Sequence, residues 1–259
     1  MFTNDNTQRR WDVRFGARTL LAVLIAGTLR PSFAANAKEP GFASAEQAVA
    51  ALYKAVEADD QTTIAQLIGQ LSSSDDVVQD KADRQLFLRK YSEMHRLVKE
   101  PDGTTVLYIG AENWPFPVPL ISKNGKWRFD IETGAQEITY RRIGENEMTA
   151  IDTCRAIARA IGHRDSDTND NAVNAYAQKV VGAANGSPET FHGYYFRVLQ
   201  MLDGAAVVAY PSEYGSTGVM TFAVALEGPV YEKDLGPNTV TLARSLKAWT
   251  PNANWQVVP

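Results

Sequence analysis

Asn124-Gly125 constrains the fold more tightly than any other feature of the chain. The dipeptide suits both positive-φ positions of a type I′ turn, the turn that closes a two-residue β-hairpin. Its flanks, Val118 to Lys123 and Lys126 to Ile131, are apolar at alternate positions. A two-residue loop pairs Ser122 with Trp127, Leu120 with Phe129 and Val118 with Ile131. All three pairs then share one face, with Lys126, Arg128 and Asp130 on the other. Register and hydrophobic pattern therefore agree, as a half-buried antiparallel sheet requires.

Helical spacing precedes this hairpin. Ser44-Ala45-Glu46-Gln47 reads as a capping box, followed by Ala48, Val49, Leu52, Tyr53 and Val56 at helical intervals. Asp59-Asp60 ends that helix and caps a second, with Ile64, Leu67, Ile68 and Leu71. Ser72 to Asp76 is a polar loop. A third helix is expected over Lys81 to His95, its closing imidazole favourable to the helix dipole. Thr104 to Ile109 is β-branched and reads as a strand.

After the hairpin the order repeats. Glu145 to Ile161 is expected to be a helix, with Met148, Ile151, Cys154, Ala158 and Ile161 as its apolar stripe. A polar stretch, His163 to Ser187, carries a short helix at Ala172 to Val181. Strands are expected at Tyr194 to Leu199, Ala205 to Tyr210, Gly218 to Leu226 and Val230 to Lys233. Helices segregated from antiparallel strands mean an α+β fold. It is expected in two modules, residues 42–140 and 141–259, jointed at Tyr140 to Gly144.

The N-terminus has a different logic. Arg9, Arg10, Arg14 and Arg18 precede an eleven-residue apolar run, Thr19 to Leu29, and then Ser32-Phe33-Ala34 and Ala35-Asn36-Ala37. A basic start, a short apolar core and a small-x-small exit are the secretory pattern. Residues 1–37 are thus expected to be a signal peptide, cleaved after Ala34 or Ala37, for delivery to the periplasm. The run falls short of the ~20 residues that span a bilayer, so no permanent membrane span is expected. The chain has 26 Lys and Arg against 30 Asp and Glu. Five of those bases and two of the acids precede Lys38, so the body of the chain from Lys38 onward is distinctly acidic. An acidic body argues against a phosphate-tracking nucleic-acid binder.

Motifs for chemistry are few. Cys154 is the only cysteine, which excludes an intramolecular disulfide and a Cys-based zinc site. It sits on an apolar stripe, where a buried structural thiol is the expectation. His95, His163 and His192 have no neighbour at ligand spacing, and no metal or cofactor is expected. There is no G-x-S-x-G elbow, Walker loop or G-x-G-x-x-G fingerprint. No catalytic residue is assigned. The candidates that remain are aromatic. Trp114-Pro115-Phe116-Pro117-Val118-Pro119 is a stiff extended segment, either an edge that plugs the core or a ligand platform. Tyr194, Tyr195, Tyr210 and Tyr214, with His192 and Glu213 at the margin, are candidates for binding a partner. On a strand, Tyr194 and Tyr195 must face opposite ways, so at most one can be core, and one exposed tyrosine is expected beside one buried one.

These strings also carry a likeness. Glu112-Asn113-Trp114-Pro115-Phe116-Pro117, Gly125-Lys126-Trp127-Arg128-Phe129-Asp130, Arg141-Arg142-Ile143-Gly144-Glu145-Asn146-Glu147, Ile151-Asp152-Thr153-Cys154-Arg155, His192-Gly193-Tyr194-Tyr195-Phe196-Arg197 and Tyr210-Pro211-Ser212-Glu213-Tyr214-Gly215 occur in order. Their sequence over residues 42–258 resembles the bacterial exported family known as domain of unknown function 2950. That family implies no activity and no catalytic residue. Its longer members carry an insertion where His163 to Thr190 stands here, and a further loop and strand where Met201 to Gly204 stands. At the level of fold, the first module looks like the cone-shaped nuclear-transport-factor-2-like fold and the second like a pilin head. The expectation is an exported, non-enzymatic binding or scaffold protein of the cell envelope. The alternative is an exported hydrolase or small-ligand binder using a pocket of the first module.

Overall fold

The computed structural model describes residues 41–69, 77–162, 168–182, 189–201, 204–252 and 254–258. The expected signal peptide, the 72–76 loop and His163 lie outside them. The described residues form an α+β fold of two antiparallel sheets, each packed against helices.

The first sheet is built by β1 (His95–Lys99), β2 (Thr105–Ile109), β4 (Leu120–Lys123) and β5 (Lys126–Phe129) in that order. A two-residue strand, β3 (Trp114–Pro115), pairs with the far end of β2. Three helices, α1 (Ala45–Glu57), α2 (Gln61–Ile68) and α3 (Val77–Glu93), precede it. Leu52, Val49, Leu67, Leu107, Leu120 and Phe129 form the core. Ser44 caps α1 through Gln47 N–H, and the returning half of the box runs from Ala43 N–H to Gln47. Asp60 caps α2 at Thr63 N–H, 3.0 Å away. The hairpin register is as expected at Ser122–Trp127 and Leu120–Phe129, with φ of 54° at Asn124 and 72° at Gly125.

The expected pairing of Val118 with Ile131 does not occur. Strand β5 ends at Phe129, because the Asp130 carboxylate accepts Thr133 N–H and starts a helix. That helix, α4, runs without interruption from Ile131 to Ile161. The stretch 140–144, read as a joint, is therefore helical. Met148, placed on the apolar stripe, is 56% exposed. The buried positions of that half are Ile143, Ala150, Thr153, Cys154, Ala156, Ile157 and Ala158. His95 does not close α3 but opens β1. Its ring stacks on Tyr91 at 3.9 Å, and Nδ1 donates to the Tyr91 carbonyl, so the imidazole still sits on the helix's last turn.

The second sheet runs β10 (Gln256–Val257), β9 (Tyr231–Asp234), β8 (Met220–Ala225), β7 (Gly204–Pro211), β6 (Tyr194–Met201). One face, with Tyr194, Phe196, Val207, Ala209, Phe222 and Val224, packs under α4 and α5 (Asn171–Gly182). The opposite face, with Leu199, Val208, Tyr210 and Ala223, is closed by α6 (Thr239–Ser245) and Trp249. Period-two alternation sorts the same strands between two cores. Among the described residues, no helix is long and apolar enough to cross a membrane.

Candidate functional site

Helix α4 holds both modules through neighbouring arginines. Arg141 reaches the first: Nη1 donates to the Pro115 carbonyl at 2.9 Å, and the guanidinium lies 5.0 Å from the Trp114 ring centroid. Arg142 reaches the second, where Nη2 donates to the Ser216 carbonyl at 2.8 Å. One turn further, Asn146 donates to the Thr217 carbonyl at 2.9 Å. Glu147 Oε1 accepts Val219 N–H at 2.9 Å and Met220 N–H at 3.0 Å. Three side chains from about one and a half turns of one helix thus hold four main-chain groups at the passage from β7 into β8.

The loop is also tied to itself. Thr217 Oγ1 accepts Glu213 N–H at 3.1 Å, and Thr217 N–H donates to the Glu213 carbonyl at 2.9 Å. Tyr214 donates its hydroxyl proton to Asp234 at 3.1 Å. Ser212 N–H donates to the Gly193 carbonyl at 2.9 Å, which joins this loop to the turn before β6. That turn is His192-Gly193, both left-handed, with φ of 46° and 71°. Two close approaches demand glycine. A Cβ on Gly193 would meet Thr217 Cβ at 2.7 Å, and one on Gly218 would meet the Tyr194 hydroxyl at 2.0 Å.

The candidate residues divide accordingly. His192 and Glu213 are exposed and Tyr214 half-exposed, on the turn and loop that the Ser212–Gly193 bond joins. Tyr194 and Tyr210 are buried, one in each core of the second sheet. Tyr194 donates to the Met220 carbonyl. Tyr195 is half-buried, 5.5 Å from the Tyr210 ring and 5.5 Å below Arg244. The two tyrosines face opposite ways, but the expected exposed one is not found: both faces of the sheet are covered, and Tyr195 packs against the second core. Trp114 and Phe116 are half-buried against the first core, edge-on to each other at 6.4 Å. Arg141 lies over Trp114, and the Pro-rich segment packs against the first core at the edge of its sheet.

Electrostatics mark the middle of α4. Burial pushes the Glu145 carboxyl up to about 7, against the opposing pull of Arg141. Burial lowers the Arg142 guanidinium, with Glu213 acting the other way. Complete burial pushes the Cys154 thiol far up, out of nucleophilic range. Among the described residues, no three His, Cys, Asp or Glu side chains gather as a metal ion would need. Sequence reasoning missed Arg142, Glu145, Asn146 and Glu147 as a group. Their signal was helical spacing, which continues from Ile138.

The described residues define a class: an α+β protein whose two sheets hang on one shared helix, with a tightly bonded loop presented beside it. The sequence profile of the family described as "Protein of unknown function (DUF2950)" matches residues 39–187 and 182–258. The chain belongs to that family. No curated protein and no solved structure matches it, so neither fold likeness is carried further.

Proposed function

We propose that the protein is exported to the periplasm and acts there as a non-enzymatic binding protein of the cell envelope. On this reading the loop 212–219 and the His192-Gly193 turn present His192, Glu213 and Tyr214 to a protein partner. The observation that carries it is the number of bonds fixing this loop: Arg142, Asn146 and Glu147 hold it from outside, and Thr217 from within. A loop already held in one conformation loses little entropy on binding. Tyr and a flanking carboxylate on such a scaffold are what interfaces use. Export is supported by the Arg-rich start, the apolar run and the small-x-small exits before Lys38.

A benzophenone side chain placed at position 214, with a control at exposed Lys126, tests both parts in intact cells. The expected result is a discrete crosslinked adduct from position 214 alone, in the periplasmic fraction, on a chain beginning at Ala35 or Lys38. Adducts at neither position, or a full-length cytoplasmic product, would count against the reading.

A further inference from the structure

Four sulfur atoms lie among the described side chains, those of Met94, Met148, Cys154 and Met220, and their surroundings differ. Cys154 has no exposed surface, and burial pushes its thiol far up, so it offers an oxidant neither access nor a thiolate. Met94 and Met220 are half-buried. Met94 follows α3, where its carbonyl accepts Gly110 N–H at 2.9 Å. Met220 opens β8 and packs against the core under α4, its N–H held by Glu147 and its carbonyl by Tyr194. Met148 is 56% exposed and belongs to none of the three cores.

Helix geometry puts Met148 there. At about 100° per residue it lies half a turn round α4 from Ile157, which has no exposed surface. The helix turns Ile157 inward and therefore Met148 out. It is also held on both sides of that position, by the bonds of Asn146 and Glu147 before it and by buried Ala150, Thr153 and Cys154 after it. Met148 thus faces solvent from a fixed helix and not from a frayed end. Helix propensity does not ask for sulfur here, since leucine, lysine and arginine serve as well as methionine.

We propose that Met148 is a reversible oxidation site, taking oxygen from a peroxide to become methionine sulfoxide while the fold stays intact. The thioether sulfur donates an electron pair to one peroxide oxygen. An S–O bond forms, the O–O bond breaks, and the other oxygen leaves as water. Sulfur is oxidised by two electrons and the peroxide reduced by two. The product is polar and chiral, which disrupts packing where a methionine is buried. At Met148 the new oxygen meets solvent instead, and methionine sulfoxide reductases can reach it to restore the thioether. The reaction needs neither export nor a partner, so its fate is independent of the binding surface at 212–219.

Graded hydrogen peroxide on the purified protein, followed by intact mass and peptide mapping, tests the inference. Within residues 41–258 the first added oxygen is expected at Met148. It should arrive several-fold faster than at Met94 or Met220 and leave the melting temperature unchanged. The two epimer-specific methionine sulfoxide reductases are expected to remove it from the folded protein. Met148→Leu is expected to fold as the wild type does and to lose that first oxygen. A first oxygen on Met94, Cys154, Met201 or Met220 would overturn the inference. So would a melting temperature that falls by several degrees as Met148 is oxidised, or a sulfoxide that the reductases reverse only in urea. Should the leucine variant not fold, mapping of the unaltered protein decides alone.

Discussion

At the scale of single residues, Cys154 and Glu145 share a helix and differ in surroundings. Cys154 has no exposed surface and packs with Ala150, Ile157 and Phe196 in one core. A thiol reagent is expected to modify it slowly in the native protein and rapidly in urea. Cys154→Ala is expected to cost about 1 kcal/mol in denaturant titrations, as loss of a small buried group does. Fast native labelling would contradict that placement. Glu145 is half-buried, and its carboxyl holds a proton up to about 7 where an unfolded glutamate releases it near the ordinary value of 4.5. Between those values the folded state binds more protons than the unfolded state, so stability falls as pH rises. The contribution is fully present below 4.5 and lost as pH rises through about 7. Thermal melts from acid to mildly alkaline pH are expected to show that decline, and Glu145→Gln to flatten it. Equal slopes for the two proteins would mean the carboxyl is solvated.

At the scale of elements, short-range chemistry was readable and long-range bonding was not. Asn124-Gly125 gave the β4–β5 register because turn length fixes pairing. Ser44 and Asp60 start the helices assigned to them because capping is a contact across three residues. Strand β1 was missed: His-Arg-Leu-Val-Lys offers two apolar residues between charges, and what makes it a strand is its pairing with β2. The first half of α4 was missed because Gly134, Gly144, Thr133 and Thr139 lower helix propensity. Tertiary packing overrides that, with Gly134 seated against Val118 and Ile138 buried. Helix α6, seven residues with two threonines and a valine, gave no signal by itself. Glu147 shows the limit most plainly, since its two partners lie 72 and 73 residues away. Removing it by Glu147→Ala is expected to cost about 2 kcal/mol, since hydrogen bonds to a charged group are worth about 1.5–3 kcal/mol each and solvent recovers part. The amides of Val219 and Met220 are expected to exchange faster while those of β2 are unchanged. Uniform change across both modules would mean that Glu147 holds the whole fold and not the loop.

At the scale of the whole molecule, the 31 residues of α4 form a shaft about 46 Å long. Gearing is the apt comparison, because Arg141 engages β3 of one sheet and Arg142 the loop of the other from adjacent teeth. Each inserted residue turns everything beyond it by about 100°. A single alanine added after Arg141 is therefore expected to rotate Arg142, Asn146 and Glu147 off their loop while leaving Arg141 on Pro115. The melting temperature is expected to fall by many degrees. Seven added residues bring the helix almost back to its starting azimuth, at the cost of a longer separation between the sheets. The indexing also argues against division at the expected boundary: chains cut between 140 and 141 would each carry a broken stub of the shaft, and Arg141 would be separated from Pro115. Insertions in the loops around the two sheets are therefore expected to lower the melting temperature less than insertions of a partial turn between Arg141 and Glu147.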